Sequence, residues 1–166
     1  MRLSTKGRYA LRAVVELANV SKNGAPSVSL KEIASRQQIS VKYLEALFTT
    51  LKNAGIVKSQ RGAKGGYLLA NHPSKISAME IIEAIDGEIC LVDCCLKKNV
   101  CKNSNNCPTV GLWRKINDMI IGELKSNTIQ DLVENTDLKR YVGRRKRIER
   151  DGRQLAKRHV SGGKDE

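Results

Sequence analysis

The stretch from residue 28 to residue 56, "VSLKEIASRQQISVKYLEALFTTLKNAGI", constrains the fold more than any other part of the chain. Ser29 and Glu32 form a Ser-x-x-Glu capping box, which predicts the start of a short helix. Ser40 can cap a second helix, and Gly55 is a signal for its end. Two short helices joined by a turn of about three residues have the dimensions of a helix-turn-helix.

The next stretch, "IVKSQRGAKGGYLLA" (residues 56–70), has two short strand-like runs around a tip rich in glycine and lysine. This pattern predicts a β-hairpin. A helix-turn-helix followed directly by a basic hairpin is typical of a winged helix. Helical spacing of apolar residues before residue 22, and a second capping box at Ser77 and Glu80, predict further helices. We therefore expect a mainly α fold with a small β-hairpin wing, in which residues 1–88 form a winged helix-turn-helix domain.

The remainder of the chain divides into three parts. Residues 89–107 carry the cysteines and lack helical or strand periodicity, so we expect a loop. Pro108 stands where a long helix can begin, and Thr128 can cap a short following helix within residues 108–138. Residues 139–166 have a net charge of +7 and are expected to form a largely disordered basic tail. The long helix carries an apolar stripe that includes Leu112, Trp113, Ile116 and Ile120.

The formal net charge of +13 over 166 residues points to a polyanionic partner. Nucleic acid is the leading interpretation, and a membrane surface is the alternative. The start of the chain, "MRLSTKGRYALRAVVELA", lacks the apolar core of a signal peptide. No later segment approaches the roughly 18 consecutive apolar residues of a membrane span. We expect a cytoplasmic protein that does not insert into membranes.

The second helix of a helix-turn-helix presents its N-terminal residues to the major groove. Here Lys42 can reach a guanine or a phosphate, and Glu45 can accept a hydrogen bond from cytosine N4. An ordinary solvated helix face is the alternative, but the charged, glycine-rich tip favours DNA binding because arginine suits the minor groove. The candidate DNA-binding residues are Ser40, Lys42, Tyr43 and Glu45 on the helix, and Arg61, Gly62, Lys64, Gly65 and Gly66 at the tip.

Four of the five cysteines fall in "CCLKKNVCKNSNNC", residues 94–107. In a reducing compartment, clustered cysteines indicate metal ligands or redox-active thiols rather than disulfides. Cys95, Cys101 and Cys107 are evenly spaced, with five residues in each gap, which is wider than the Cys-x2–4-Cys spacing that zinc sites prefer. Three thiolates on one loop can hold an iron–sulfur cluster, with a fourth ligand from elsewhere.

Three stretches carry a resemblance to a known family. They are "MRLSTKGRYALRA", "ISVKYLEALFTTLKNAGIVKSQRGAKGGYLL", and the cysteine segment with the "LWRKI" that follows it. In these the chain resembles the Rrf2 family of bacterial winged-helix transcriptional regulators, with its IscR-like, NsrR-like and CymR-like branches. The resemblance covers roughly residues 1–135.

The resemblance implies a homodimer that reads a pseudo-palindromic double-stranded DNA operator. The long helix would then be a dimerisation helix, paired through Leu112, Trp113, Ile116 and Ile120. IscR-like members hold a 2Fe–2S cluster, and by similarity its ligands fall on Cys95, Cys101 and Cys107. By the same similarity, DNA contacts fall on Lys42, Glu45 and Arg61.

The fourth ligand departs from the family pattern. IscR-like members have a histidine three residues after the last cysteine, where this chain has Val110. NsrR-like members use an acidic residue near the N-terminus, and the corresponding residue here is Arg8, which cannot ligate. Cys94, Cys90 and a non-protein ligand remain as candidates, with Cys94 or an exchangeable ligand favoured.

Three functions compete on these observations. The first is a transcriptional regulator that senses iron–sulfur, redox or nitric oxide status through the cluster. The second is a cluster-free regulator of the same family that responds to thiol oxidation or to a partner enzyme of cysteine metabolism. The third, a thiol redox enzyme, is disfavoured because the chain has no Cys-x-x-Cys beside a βαβ pattern.

Overall fold

The structure is a computed structural model that describes residues 4–22, 27–62, 65–93, 101 and 106–134. Within these residues the elements are helices and one two-stranded hairpin, as predicted for a mainly α fold with a β-hairpin wing. The predicted tail at 139–166 lies outside the described residues. The elements are α1 (Thr5–Lys22), α2 (Leu30–Gln37), α3 (Val41–Asn53), β1 (Val57–Gln60), β2 (Gly66–Leu69), a 3₁₀ turn at Pro73–Lys75, α4 (Ala78–Asp86), α5 (Val110–Ser126) and α6 (Ile129–Glu134).

Side-chain caps define the two helices of the helix-turn-helix. The Ser29 hydroxyl accepts a hydrogen bond from the Glu32 amide at 3.2 Å and caps α2. The Ser40 hydroxyl accepts from the Tyr43 amide at 3.3 Å and caps α3. Between the two helices, Gln38 adopts the left-handed conformation with φ of 54° and ends α2. Both helices therefore begin where the capping residues predicted, because each cap satisfies an otherwise unpaired amide of the first turn.

A single apolar core holds α1, α2, α3 and the hairpin together. Burial of such side chains removes apolar surface from water and is the main favourable term in folding. Helix α1 is central to this core, since it packs against α2, α3, α4, α6 and β2. The largest fully buried side chains are those of Phe48, Leu17, Ile33, Leu44, Leu51, Ile81, Ile82 and Ile129.

The wing is an antiparallel hairpin with Val57 opposite Leu69 and Gln60 opposite Gly66. A third segment joins it, because the Val28 amide donates to the Tyr67 carbonyl at 2.9 Å and the Tyr67 amide donates to the Val28 carbonyl at 2.8 Å. The hairpin is thereby attached to the chain that leads into α2. The wing and the helix-turn-helix are consequently parts of one packed body.

The second half of the described chain is tied back by backbone pairing. The Ala78 amide donates to the Asn127 carbonyl at 2.9 Å, and the Ile129 amide donates to the Ile76 carbonyl at 2.8 Å. These bonds fix the α5–α6 connection beside the start of α4. Ser77 and Glu80 form the predicted capping box of α4. The long helix α5 begins at Val110, two residues after the predicted start.

Helix α5 packs along α4 through a small second cluster. Its core is formed by Met79, Ile82 and Ile89, against which Ile121 and Leu124 of α5 are packed. None of the helices in the described part of the chain is long and apolar enough to span a membrane. The division of the chain at residues 88, 107 and 138 stays a prediction.

Candidate functional site

The N-terminal half of α3 presents a polar face to solvent. Leu44 is buried in the core, as are the next inward residues of the helix, so the opposite face is fixed. Ser40, Lys42 and Glu45 are exposed on that face, and Tyr43 is half-buried at its edge. The face therefore carries a hydroxyl, an ammonium and a carboxylate at the end of the helix that a helix-turn-helix inserts into DNA.

Helix α1 supports this face through an aromatic and cationic contact that the sequence reasoning did not identify. The rings of Tyr9 and Tyr43 meet edge to face, with centroids 5.9 Å apart and planes at 89°. The Arg12 guanidinium lies 5.5 Å from the Tyr9 ring centroid and donates to the Gln37 carbonyl at 3.1 Å. Arg12 thereby joins α1 to the last turn of α2, just before the turn into α3. The "KGRYALR" stretch was the available signal, since it places Tyr9 about one helical turn before Arg12.

The start of α1 is fixed by a carboxylate from α4. The Ser4 hydroxyl accepts from the Gly7 amide at 2.9 Å, and Asp86 accepts from the Ser4 amide at 3.3 Å. A Cβ atom on Gly7 would lie 2.5 Å from the Asp86 carboxylate, so only glycine admits this approach. The favourable position of a carboxylate at a helix N-terminus strengthens the contact. Arg8, the residue after Gly7, is exposed in this first turn of α1, the helix that supports α3.

The tip of the wing is built around glycine backbone rather than side chains. Arg61 and Gly62 are exposed, and Gly62 has a φ of 118°, which a residue with a side chain rarely adopts. The Gly65 amide donates to the Gly62 carbonyl at 2.8 Å and closes the turn. Lys64 lies outside the described residues.

Gly66 has a role in the hairpin itself, because a Cβ atom there would collide with the Val28 carbonyl. Of the three tip glycines, only Gly62 has a positive φ. Gly65 and Gly66 instead lie where other backbone atoms approach too closely for a Cβ atom.

These elements occur in the order helix, helix-turn-helix, wing, and long C-terminal helix. A family model described as "Rrf2: Iron-dependent Transcriptional regulator" matches residues 3–135. The chain belongs to the Rrf2 family.

Relatives support this membership across most of the chain. The HTH-type transcriptional regulator IscR of Photorhabdus laumondii is 40% identical over 144 residues, which are 87% of this chain and 86% of the relative. IscR of Escherichia coli K12 is also 40% identical over 144 residues, with 87% of each chain covered. As a member of this family, the chain is a DNA-binding transcriptional regulator and not an enzyme.

Solved structures of Rrf2 proteins have the same fold. CymR of B. subtilis, described as the global cysteine regulator, is 40% identical with a TM-score of 0.70, over 82% of this chain and 99% of that one. T. potens IscR is 36% identical with a TM-score of 0.65, over 82% of this chain and 89% of that one. The oxidised form of Staphylococcus aureus CymR is 37% identical with a TM-score of 0.65, over 82% and 99% of the two chains.

The structure describes the cysteine segment, residues 89–107, only at residues 89–93, 101, 106 and 107. Cys90 is half-buried just after α4, Cys101 is exposed, and Cys107 is half-buried just before α5. Cys94 and Cys95 lie outside the described residues. Within the part of the segment that is described, three metal-ligating side chains do not come together.

Cys107 has the environment of a favoured thiolate. Its Sγ lies 3.3 Å from the Thr109 Oγ1, within hydrogen-bond distance. The side-chain and backbone hydrogen bonds from Thr109 lower the pKa of the Cys107 thiol below its usual value of 9.0. A thiolate is the form in which cysteine binds metal. Val110, at the position of the IscR-like histidine, is the first residue of α5 and brings no ligating atom.

The predicted dimer residues lie on the outer and lateral faces of α5. Leu112 is 55% exposed, and Trp113, Ile116 and Ile120 are half-buried. Met119, 58% exposed, extends the same stripe seven residues after Leu112. Leu112 and Met119 are the two large apolar side chains most open to solvent in the described part of the chain.

Proposed function

We propose that this Rrf2 protein is a homodimeric regulator that senses iron–sulfur, redox or nitric oxide status through a 2Fe–2S cluster bound to its cysteine segment. The observation that carries the proposal is the attachment of this segment to α5. Cys107 stands three residues before the helix, and Leu91 is hydrogen-bonded to its second turn. A change in cluster binding between Leu91 and Cys107 would therefore act on α5, the helix that carries the exposed apolar stripe.

DNA would be read by α3 and the wing. Ser40 and Tyr43 would position α3 on phosphate oxygens, while Lys42 and Glu45 reach base edges in the major groove. Arg61 would enter the adjacent minor groove, with Lys64 as a second cation of the tip. The glycine backbone of Gly62, Gly65 and Gly66 would allow the tip to approach the DNA closely. The exposure of Lys42, Glu45 and Arg61 and the buried opposite face of α3 support this assignment.

Dimerisation would pair the α5 helices of two chains through Leu112, Trp113, Ile116 and Ile120. Large apolar side chains at such spacing and exposure mark association surfaces. A second copy of this chain is the occupant because a two-fold axis provides one α3 for each half of a pseudo-palindromic operator.

The donor set suits an iron–sulfur cluster. Cys95, Cys101 and Cys107 would supply three thiolates, and soft thiolate ligands are those that such clusters use. The lowered pKa of Cys107 favours ligation. The fourth ligand would be Cys94 or an exchangeable small molecule. A bound 2Fe–2S cluster would supply an iron centre that oxidants or nitric oxide can attack.

A change at the cluster would be transmitted to α3 through packing contacts and hydrogen bonds between the helices. Rearrangement of the cysteines moves residues 89–91, and Ile89 is packed with Met79 and Ile82 of α4. Asp86 at the end of α4 holds the start of α1, which supports α3 through Tyr9. The shift in operator affinity is limited by how differently the cluster stabilises the two arrangements.

The decisive experiment combines spectroscopy with DNA binding. Protein purified without oxygen would be assayed for visible absorption, iron and acid-labile sulfide, and then for binding to duplexes selected from a random library. We expect a red-brown protein with about two irons and two sulfides per chain, the 2Fe–2S stoichiometry. Cys101→Ala should lose the cluster and its effect on DNA binding. Wild-type regulation that survives this substitution with the cluster intact would contradict the proposal.

A second candidate is a cluster-free regulator that responds to thiol oxidation or to a partner enzyme of cysteine metabolism. The similarity to CymR, including its oxidised form, and the exposure of Cys101 favour it. A colourless protein that binds DNA and changes affinity on mild thiol oxidation, or on addition of a cysteine-metabolism enzyme, would decide for this function.

A further inference from the structure

Asn117 is the polar side chain that the described part of the chain buries, with 7% of its surface exposed. It lies on the second turn of α5, on the face that packs against α4 and the start of the cysteine segment. Its Oδ1 accepts a hydrogen bond from the Leu91 amide at 2.9 Å. The partner is 26 residues earlier in the chain, so the bond joins two elements rather than one turn.

Packing alone does not explain asparagine at this position. Its neighbours on the same face of α5, Ile121 and Leu124, are apolar and contribute to the cluster around Ile89. A buried polar group is costly unless it is hydrogen-bonded, whereas a leucine would extend the apolar face without that cost. What asparagine adds is an acceptor for one backbone amide. That amide belongs to Leu91, directly after Cys90 and three residues before Cys94.

Both ends of the cysteine segment are therefore attached to the first two turns of α5. The entrance is hydrogen-bonded at Asn117, and the exit continues through Cys107 into Val110. Seven residues of helix separate the two attachments, which is about 10 Å along the axis. Ligation that draws the cysteines together would change the course of the chain between these two points. The Leu91–Asn117 hydrogen bond would pass that change to α5.

We propose that Asn117 is a positioning residue that couples the state of the cysteine segment to α5 and thereby to operator affinity. The inference rests on the proposed function and adds to it the point at which the signal enters the helix. Asn117 would act through its hydrogen bond to Leu91 and not as a ligand of the cluster.

The test compares two substitutions with a packing control. Asn117→Leu keeps the branching and the number of side-chain heavy atoms but removes the acceptor, while Asn117→Asp keeps an acceptor oxygen in the same place. Leu132→Ala weakens the packing of α6 on the main core without touching the hydrogen bond to Leu91 or the cluster around Ile89. For each protein, operator affinity is measured with and without the cluster, alongside the thermal midpoint and amide exchange at residues 88–93.

We expect Asn117→Leu to keep its colour but to bind DNA with the same affinity in both states. The Leu91 amide should exchange about 2- to 10-fold faster, as expected for loss of one hydrogen bond. Asn117→Asp should retain the wild-type affinity ratio. Leu132→Ala should lower the thermal midpoint while leaving the ratio unchanged. If Asn117→Leu fails to fold, Asn117→Ala, which admits water to the Leu91 amide, replaces it.

A wild-type affinity ratio in Asn117→Leu overturns the role of Asn117, and so does an equal loss of the ratio in Leu132→Ala. Failure of the proposed function looks different, since the wild-type protein itself would then be colourless or have an affinity ratio of one. In that case the coupling role falls together with the cluster.

Discussion

Gly7 and Gly66 each lack a side chain at a point where another part of the chain approaches too closely to admit one. Gly7 makes room for the Asp86 carboxylate, and Gly66 makes room for the Val28 carbonyl. Both occur in the stretches that carry the family resemblance, "KGRYA" and "RGAKGGYLL". Their roles are to seat α1 on α4 and the wing on the segment before α2. The accuracy with which α3 and the wing are placed therefore depends on glycines that need not touch DNA.

Arg61 provides the first prediction at the scale of single residues. Replacing it with alanine should weaken operator binding about 5- to 30-fold, equivalent to roughly 1–2 kcal/mol. The reason is that the tip would lose the guanidinium that we propose contacts DNA. Fluorescence anisotropy with a selected duplex measures the effect. Lys125→Ala removes the same charge from the exposed end of α5 and serves as the control. Equal weakening by both substitutions would mean that Arg61 contributes only through the net charge of the protein and makes no specific contact with DNA.

Gln38 provides the second residue-scale prediction. It has a φ of 54°, a left-handed conformation that costs a residue with a Cβ more than glycine, and its side chain is exposed. Gln38→Gly should raise the free energy of unfolding by about 0.5–1 kcal/mol, after allowance for the greater chain entropy of glycine. Thermal unfolding followed by circular dichroism measures it.

The matched control for Gln38 is Ser35→Gly, at an exposed position within α2. Glycine there should lower the free energy of unfolding by about 0.5 kcal/mol, since it disfavours a regular helix. The two glycine substitutions should thus shift the thermal midpoint in opposite directions. A decrease for both would mean that the left-handed conformation at Gln38 carries no cost.

At the scale of elements, local signals predicted the helices well and the connections between them poorly. Ser40, Ser77 and Gly55 mark helix ends in the sequence because a cap or a left-handed residue acts within a few positions of itself. The pairing of Ile76 with Ile129 and the Val28 bridge to the wing depend on residues far apart in the chain. No local pattern encodes such contacts.

Helix α5 provides the prediction at the element scale. Met119→Lys should raise the dissociation constant of the homodimer at least about tenfold, because an ammonium would be buried in an apolar interface. Sedimentation equilibrium measures it. Asp118→Lys introduces the same side chain about 100° around the helix, at another exposed position, and should leave the dimer intact. A dimer unaffected by Met119→Lys would place the interface elsewhere.

At the scale of the whole molecule, contacts among the described residues form a continuous path from the start of the cysteine segment to the polar face of α3, which we propose binds DNA. Leu91 is bound to α5 through Asn117, Ile89 packs on α4, and Asp86 of α4 holds the start of α1. Tyr9 of α1 then contacts Tyr43 of α3. The sequence indicated the two ends of this path, the polar face of α3 and the evenly spaced cysteines, and their roles in binding DNA and a cluster stay predictions. The intermediate contacts were not predictable, since each joins residues from different elements.

The charge of residues 139–166 provides the prediction at the scale of the whole chain. Their net charge of +7 should add attraction to DNA of any sequence through the release of counterions. Replacing Arg144, Arg145, Lys146 and Arg147 with glutamine should lower affinity for unselected duplexes at low salt. The slope of log affinity against log salt should fall in magnitude by about 0.9 for each phosphate that the protein no longer neutralises.

The preference for a selected operator over an unselected duplex should stay unchanged or rise in that variant. Under the proposed function, α3 and the tip of the wing would read bases, while the replaced side chains would meet only phosphates. Affinities for both duplexes, titrated over a range of salt concentrations, separate the two contributions. An unchanged salt slope would mean that these four charges serve solubility alone. A weakening confined to the selected operator would instead mean that these four residues contact bases. In that case the prediction that α3 and the wing contact bases while residues 139–166 contact only phosphates would be wrong.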